Sequence, residues 1–294
     1  MKLLSFGEIL FDAFPDRAVL GGAPLNLAAH TALQGVDAAL WSAVGDDALG
    51  EQAVAESARL GVDVSTVARL ATHKTGVCNV TLDANAVPTY RLEEDVAYDH
   101  IPSLSPARLG TFDLLAFGTL ALRGEDNRML LEETLAACDF SDVYCDVNIR
   151  APFYSKESLC LCLSHATILK ISDEELPVVR NLLYGDIPLA EKDVLTRLAA
   201  DFPQLRILLL TCGANGAYAL ETKNHTWHFC PAAPATPVST VGAGDSFGAT
   251  FLASFFVHGD IDRALRRAAL VSAFVVSRQG AVPEDLQEFL ARLP

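Results

Sequence analysis

Short, largely apolar and β-prone runs alternate along the chain with longer stretches whose apolar positions recur every three or four residues. The runs are Leu3 to Phe6, Ala38 to Val44, Leu114 to Phe117, Val143 to Val147, Ile168 to Ile171 and Ile207 to Leu210. Helical patterns between them cover Asn26 to Leu33, Glu51 to Leu60, Asn127 to Ala137, Lys156 to Leu163 and Lys192 to Ala200. Apolar strands separated by helices are buried on both faces. The order therefore predicts an α/β fold, a doubly wound and mostly parallel sheet with helices on either side. After about Thr240 the pattern stays helical, through Phe256, Arg263 to Ser277 and Asp285 to Leu290.

One region breaks the alternation. Val77 to Leu82 and Thr89 to Leu92 read as strands joined by residues 83–88, with no helix between them. Such a pair does not continue a doubly wound sheet. Residues 74–100 are expected to form a small separate sheet, joined by the segment 11–19, within a single domain spanning 1–294.

Composition narrows the function classes. The chain has 294 residues, is 51% hydrophobic and carries 22 basic against 37 acidic side chains, a net charge of −15. That balance suits a compact protein and argues against a nucleic-acid or anionic-membrane surface, while leaving room for a local nucleotide site. No apolar run approaches the roughly 18 residues of a membrane span. Met1-Lys2 leads into a strand-like stretch bearing Glu8 and Asp12, unlike a secretory leader. The seven cysteines are scattered and include no C-x-x-C pair, which points to a reducing cytoplasm. His225-x-x-His228 has no further ligand nearby in sequence, and no metal is expected there.

The candidate chemistry centres on Ser239-Thr240-Val241-Gly242-Ala243-Gly244-Asp245-Ser246-Phe247. A small-residue turn runs into a helical pattern with Phe247, Phe251 and Phe255 spaced four apart. Unpaired amides at a helix start bind anions, above all phosphates. A carboxylate beside a bound phosphate makes sense if it must take a proton from an attacking hydroxyl. The same residues also fit an ordinary Gly-rich turn whose acid complements the helix dipole. Small and polar residues also gather at the strand ends: Asp12, Gly45-Asp46-Asp47, Gly118-Thr119, Asn148, Arg150, Ser172 to Glu175, Thr211 and Gly213. Ligands of open parallel sheets sit beyond those ends, although strand ends are polar in any fold.

A second segment, Gly21-Gly22-Ala23-Pro24-Leu25-Asn26, carries glycines and a proline into another helix start. With it the chain resembles the ribokinase-like (PfkB) carbohydrate kinases, and among them the fructokinases. The resemblance runs nearly end to end. It includes Gly7-Glu8-Ile9-Leu10-Phe11-Asp12, Val44-Gly45-Asp46-Asp47, Phe117-Gly118-Thr119-Leu120-Ala121-Leu122-Arg123, Asp146-Val147-Asn148-Ile149-Arg150 and Thr211-Cys212-Gly213.

The resemblance implies a phosphoryl transfer from ATP, with Mg2+, to a primary hydroxyl of a small sugar. Asp245 would be the general base, and the amides of Gly242, Ala243 and Gly244 would meet the charge on the transferred group. Asp12, Gly22, Asn26 and Arg150 match the sugar side. Thr211, Gly213, Lys170 and Gly280 match the nucleotide side, and Glu175 the metal. The small sheet would be a lid over the sugar, and two copies of it could pair to form a homodimer. Fructose is the expected acceptor. Ribose, 2-keto-3-deoxygluconate or a nucleoside are alternatives on the same fold, and a non-catalytic sugar or nucleotide sensor is an alternative of another class.

Two departures from the family pattern matter. Ser172 replaces an asparagine in the segment ending at Glu175. Ser239 stands where an aspartate helps hold a monovalent cation, so weak dependence on potassium is expected. No Gly-x-x-x-x-Gly-Lys-Ser/Thr segment occurs, which excludes a P-loop kinase.

Overall fold

The apolar runs become strands whose successive side chains are buried on opposite faces. A computed structural model describes residues 1–14, 17–82 and 88–293. Its strands are β1 (Lys2–Phe6), β2 (Leu10–Ala13), β3 (Ala18–Gly21), β4 (Asp37–Gly45), β5 (Val67–Leu70), β6 (Gly76–Leu82), β7 (Pro88–Leu92), β8 (Leu114–Gly118), β9 (Asp142–Asp146), β10 (Ile168–Ser172), β11 (Ile207–Thr211), β12 (Ala217–Glu221) and β13 (Thr226–Cys230). Its helices are α1 (Ala23–Leu33), α2 (Ala48–Arg59), α3 (Pro106–Leu109), α4 (Glu125–Ala137), α5 (Lys156–His165), α6 (Leu176–Tyr184), α7 (Glu191–Asp201), α8 (Ala243–His258), α9 (Ile261–Val276) and α10 (Leu286–Leu290).

Nine strands form the main sheet in the order β13-β12-β11-β10-β9-β8-β1-β4-β5. From β11 to β5 every neighbour is parallel, and β12 and β13 close one edge antiparallel. Leu3, Leu114, Tyr144 and Leu209 face a core shared with α1, α2, α8 and α9. Leu4, Leu115, Cys145 and Leu208 face the core under α3 to α7. The chain moves from β1 to β4 on one side and returns to β8 on the other. This reversal opens a crevice between the carboxyl ends of β1 and β8, where ligands of such sheets bind.

The separate small sheet has four strands in the order β3-β2-β6-β7, with β2 and β6 parallel. The segment 11–19 joins it through two strands, β2 and β3, and residues 83–87 of the expected link between β6 and β7 lie outside the described residues. Among the described residues no helix is long and apolar enough to cross a membrane.

Two sequence motifs turn out to hold the fold together. Asp47 caps α2 through Gly50 N–H and accepts from both the amide and the hydroxyl of Thr75, so Gly45-Asp46-Asp47 is a joint rather than part of the crevice. Arg123 forms two 2.7 Å bonds to the carboxylate of Asp99 and one of 2.6 Å to the carbonyl of Glu93. It anchors the segment leaving β7.

Candidate active site

Two helix starts meet at the crevice. Gly22 precedes α1 at φ 118°, and a side chain there would collide with the carbonyl of Glu8. Glycine is therefore required by the backbone of the chain itself, not only by a ligand. Ser5 Oγ donates to the carbonyl of Pro24 at 2.8 Å and pins the first turn of α1 to β1. That turn aims Asn26, almost fully buried, at the start of α8.

The second start is built by Gly242. It lies in the left-handed region at φ 77°, and a Cβ there would sit 2.6 Å from Cα of Ala281. The turn before it is held to the end of α9, since the amides of Val238 and Ser239 donate to the carbonyl of Val276. Ser246 to Ser254 are buried on every face, so α8 is an inner helix gripped on all sides. Gly242, Gly244 and Asp245 present first-turn N–H groups, which have no intrahelical acceptor. The amide of Ala243 differs from the expectation, because it donates back to Thr240 at 3.2 Å.

The two starts are joined by one bond: Asn26 Nδ2 donates to Asp245 Oδ2 at 2.8 Å, across 219 residues of sequence. Around it the crevice is lined by Pro24, Gly118, Tyr144, Asp146, Asn148 and Asp245. Asp12 approaches from the small sheet, where its register partner on β6 is Cys78. Burial raises the Asp12 carboxyl above its usual range, against a hydrogen bond from the Cys78 thiol and the charge of Arg150. Burial, with Asp12 beside it, pushes that thiol up to about 11, so Cys78 remains a donor. Arg150 thus belongs to the same cluster as Asp12.

Beneath α8 lies a buried ion pair. Lys170 Nζ contacts both carboxylate oxygens of Asp146 at 2.8 Å, and a Cβ on Gly244 would lie 3.2 Å from that ammonium. Burial opposes the lysine charge, but Asp146 and Glu175 hold its pKa above the usual value. Burial raises Asp146 to about 6 against the pull of Lys170. Lys170 was expected on the nucleotide side. Its ammonium is paired with Asp146 inside the protein, beneath the first turn of α8.

Glu175 is similarly occupied. Its Oε1 accepts from the amide of Ile149 at 2.7 Å, and its Oε2 from the amide and hydroxyl of Ser172, each at 2.8 Å. Ser172 thus locks Glu175 where the family pattern has an asparagine. Three of its four acceptor positions are thereby filled, and the fourth, on Oε1, suits a water of a hydrated Mg2+, which keeps several waters and uses few protein carboxylates. Thr211 ends β11 and Gly213 follows at φ 50°. Gly280 sits at φ 82° with open space around it, so conformation alone explains the glycine there. A groove of about 560 Å³ runs between residues 233–238 and the end of α9, past Leu270, Phe274 and Arg278.

Sequence reading gave Glu8 no role. It is 3% exposed, and burial raises its pKa to about 7, with Arg150 lowering and Asp245 raising it. Its signal was a charged residue between Gly7 and Ile9 at the end of a core strand. The folded Glu8 keeps its proton to about pH 7, whereas the unfolded side chain releases it near 4.5. The native state therefore binds more protons across that window. The stability due to neutral Glu8 is full below pH 4.5 and is lost as pH rises through 7. Glu8→Gln should flatten this decline and exceed the parent above pH 7, by on the order of 3 kcal/mol at most. Urea midpoints on either side of the window test this, and identical pH profiles for the two proteins would refute it.

The comparisons with known proteins give the family. The family model described as pfkB family carbohydrate kinase matches residues 12–287. The fructokinase of Klebsiella pneumoniae is 30% identical over 315 residues, covering 98% of this chain and 99% of the relative. The fructokinase of Xylella fastidiosa with bound ATP superposes with a TM-score of 0.84 at 24% identity, over 99% of this chain and 98% of that one. The fructokinase of Vibrio cholerae O395 in a fructose-, ADP- and calcium ion-bound form gives 0.81 at 22%, over 99% and 97%. At such identities the solved structures speak to the fold, and the family match speaks to the chemistry, phosphoryl transfer to a sugar hydroxyl. With two helix starts meeting at the switch point of a parallel sheet and a family match over nearly its whole length, the chain belongs to the pfkB family of carbohydrate kinases.

Proposed function

We propose that this enzyme transfers the γ-phosphoryl group of ATP to a primary hydroxyl of fructose, with Asp245 as the general base. The observation that carries the reading is the bond between Asn26 and Asp245. It puts an amide suited to a polyol within one hydrogen bond of a carboxylate at an anion-binding helix start. Asp12 accepts from neighbouring sugar hydroxyls, and Arg150 beside it donates to a sugar or phosphate oxygen. The acceptor oxygen attacks the γ-phosphorus as its proton passes to Asp245. The bond from that phosphorus to the bridging oxygen breaks, and ADP leaves. Charge on the transferred group is met by the N–H groups of Gly242, Gly244 and Asp245.

The groove along α9 offers apolar walls for the base of the nucleotide, leaving its phosphates to run past Thr211 and Gly213 toward Gly242. Glu175 would hold Mg2+ through water, and the ion would supply neutralising charge at the phosphates. Fructose is favoured over other acceptors by the names of the relatives and by the fructose carried in the Vibrio structure. A sensor has no need of a base, and Asp245 argues against one.

The test is kcat/KM for fructose, ribose, glucose, 2-keto-3-deoxygluconate and adenosine under one condition. Fructose should lead. A site that hydrogen-bonds a hydroxyl discriminates against analogues lacking it by up to about 10⁴–10⁵. If ribose or adenosine exceeds fructose tenfold, the acceptor assignment fails while the kinase assignment stands.

A further inference from the structure

Away from the crevice, at the root of the small sheet, three side chains converge that phosphoryl transfer does not use. His73 lies in the connection from β5 to β6, and Asp95 and His100 follow β7. The imidazole rings of His73 and His100 stack with centroids 3.9 Å apart and planes 24° from parallel. Both Nε2 atoms face the same carboxylate oxygen. His100 Nε2 is 2.8 Å and His73 Nε2 3.5 Å from Asp95 Oδ1. The three donor atoms lie within 4.8 Å of one another.

Each ring is also held from behind. His73 Nδ1 is 2.9 Å from the hydroxyl of Thr72, and His100 Nδ1 is 3.4 Å from Asp126 Oδ2. A ring nitrogen partnered on one side leaves the other nitrogen as the metal donor. A carboxylate behind a ligating histidine is the usual outer partner of a metal site. Ligands about 2.0 Å from a tetrahedral ion stand about 3.3 Å from one another. The separations of 2.8 and 3.5 Å bracket that value, and binding would turn the two rings out of their stacked arrangement until both Nε2 lone pairs point at the ion. A surface ion pair would account for one histidine on Asp95. It gives no reason for a second imidazole to turn the same nitrogen to the same oxygen.

We propose that His73, Asp95 and His100 bind one divalent transition metal ion of the zinc class, separate from the magnesium that accompanies the nucleotide. Two imidazoles and one carboxylate suit zinc, nickel or copper, whereas Mg2+ and Ca2+ prefer oxygen donors throughout. Water takes the fourth position, since all three side chains keep some exposure. The ion fastens the chain entering β6 to the chain leaving β7, which are otherwise joined here by the bond from the Ala97 amide to the carbonyl of Lys74. Its role is to stiffen the base of the small sheet rather than to take part in transfer.

The test titrates the metal-free full-length protein with Zn2+ against a chromophoric chelator, and with Co2+ read by visible absorption. One Zn2+ per chain and a tetrahedral Co2+ spectrum are expected, together with a rise in Tm on adding Zn2+. His73→Ala and His100→Ala should each abolish all three signals, and Asp126→Asn should weaken Zn2+ by about 10–100-fold. His228→Ala should change nothing, because His228 is turned to Asp262 at 2.9 Å. Absence of binding by the parent, or unchanged binding by the His73 and His100 variants, overturns the proposal. Binding that survives those two variants belongs to other side chains, among them the seven free cysteines.

Discussion

Replacing Asp245 with asparagine is expected to lower kcat by roughly 10²-fold or more, the range for a lost general base, while ATP still binds. Asparagine keeps the shape of the side chain and a carbonyl oxygen. Asn26 Nδ2 can therefore still donate the bond now measured at 2.8 Å, and the two helix starts stay joined. What disappears is an acceptor for the proton of the attacking hydroxyl. The first-turn amides of α8 remain, since they belong to the backbone shaped by Gly242 and Ala281. Binding and positioning should survive, and the chemical step should not. A coupled ADP-release assay with calorimetric titration of ATP separates the two. Near-wild-type turnover would refute the assignment, and loss of ATP binding would show that the variant had disturbed the turn.

Arg123→Ala is expected to destabilise the fold by about 3–5 kcal/mol, the range for removing one partner of a buried ion pair. Arg123 and Asp99 are 8% and 9% exposed and share two short bonds. The guanidinium also lies 5.0 Å over the Tyr98 ring and 4.8 Å over that of Phe153. Without it, Asp99 keeps its bond from the amide of Val96 but loses its counter-charge in a buried place. Urea unfolding of Arg123→Ala, Asp99→Ala and the double variant measures the coupling. The double variant should lose less than the sum of the singles, because it leaves no orphaned charge. A loss below about 1 kcal/mol in Arg123→Ala would refute the structural role given to this pair.

The main sheet was legible because parallel strands covered on both faces must be apolar along their length. Six runs in the sequence correspond to β1, β4, β8, β9, β10 and β11. The strands that escaped lie at or next to sheet edges. β5, β12 and β13 lie at or near the edges of the main sheet, and β3 is an edge of the small one, where one face or one side needs no apolar residue. α6 escaped because Leu176-Pro177-Val178-Val179 reads as a proline followed by a β-branched pair. The proline in fact occupies the first turn, where its missing N–H is not needed.

The candidate site divides in the same way. Glycines and acids at helix starts are local signals, so Gly242, Asp245 and Asn26 could be found along the chain. By itself the sequence determined the six central strands, the helices between most of them, the separate small sheet and the family. Only the tertiary structure decided which groups meet. Asn26 reaches Asp245, Lys170 turns inward to Asp146, Arg123 closes on Asp99, and two distant histidines share Asp95. Periodicity reports how a residue sits relative to its own helix or strand. Whether a charge is spent inside the protein or left facing a ligand depends on partners that crossovers bring from tens or hundreds of residues away, and no local pattern records them.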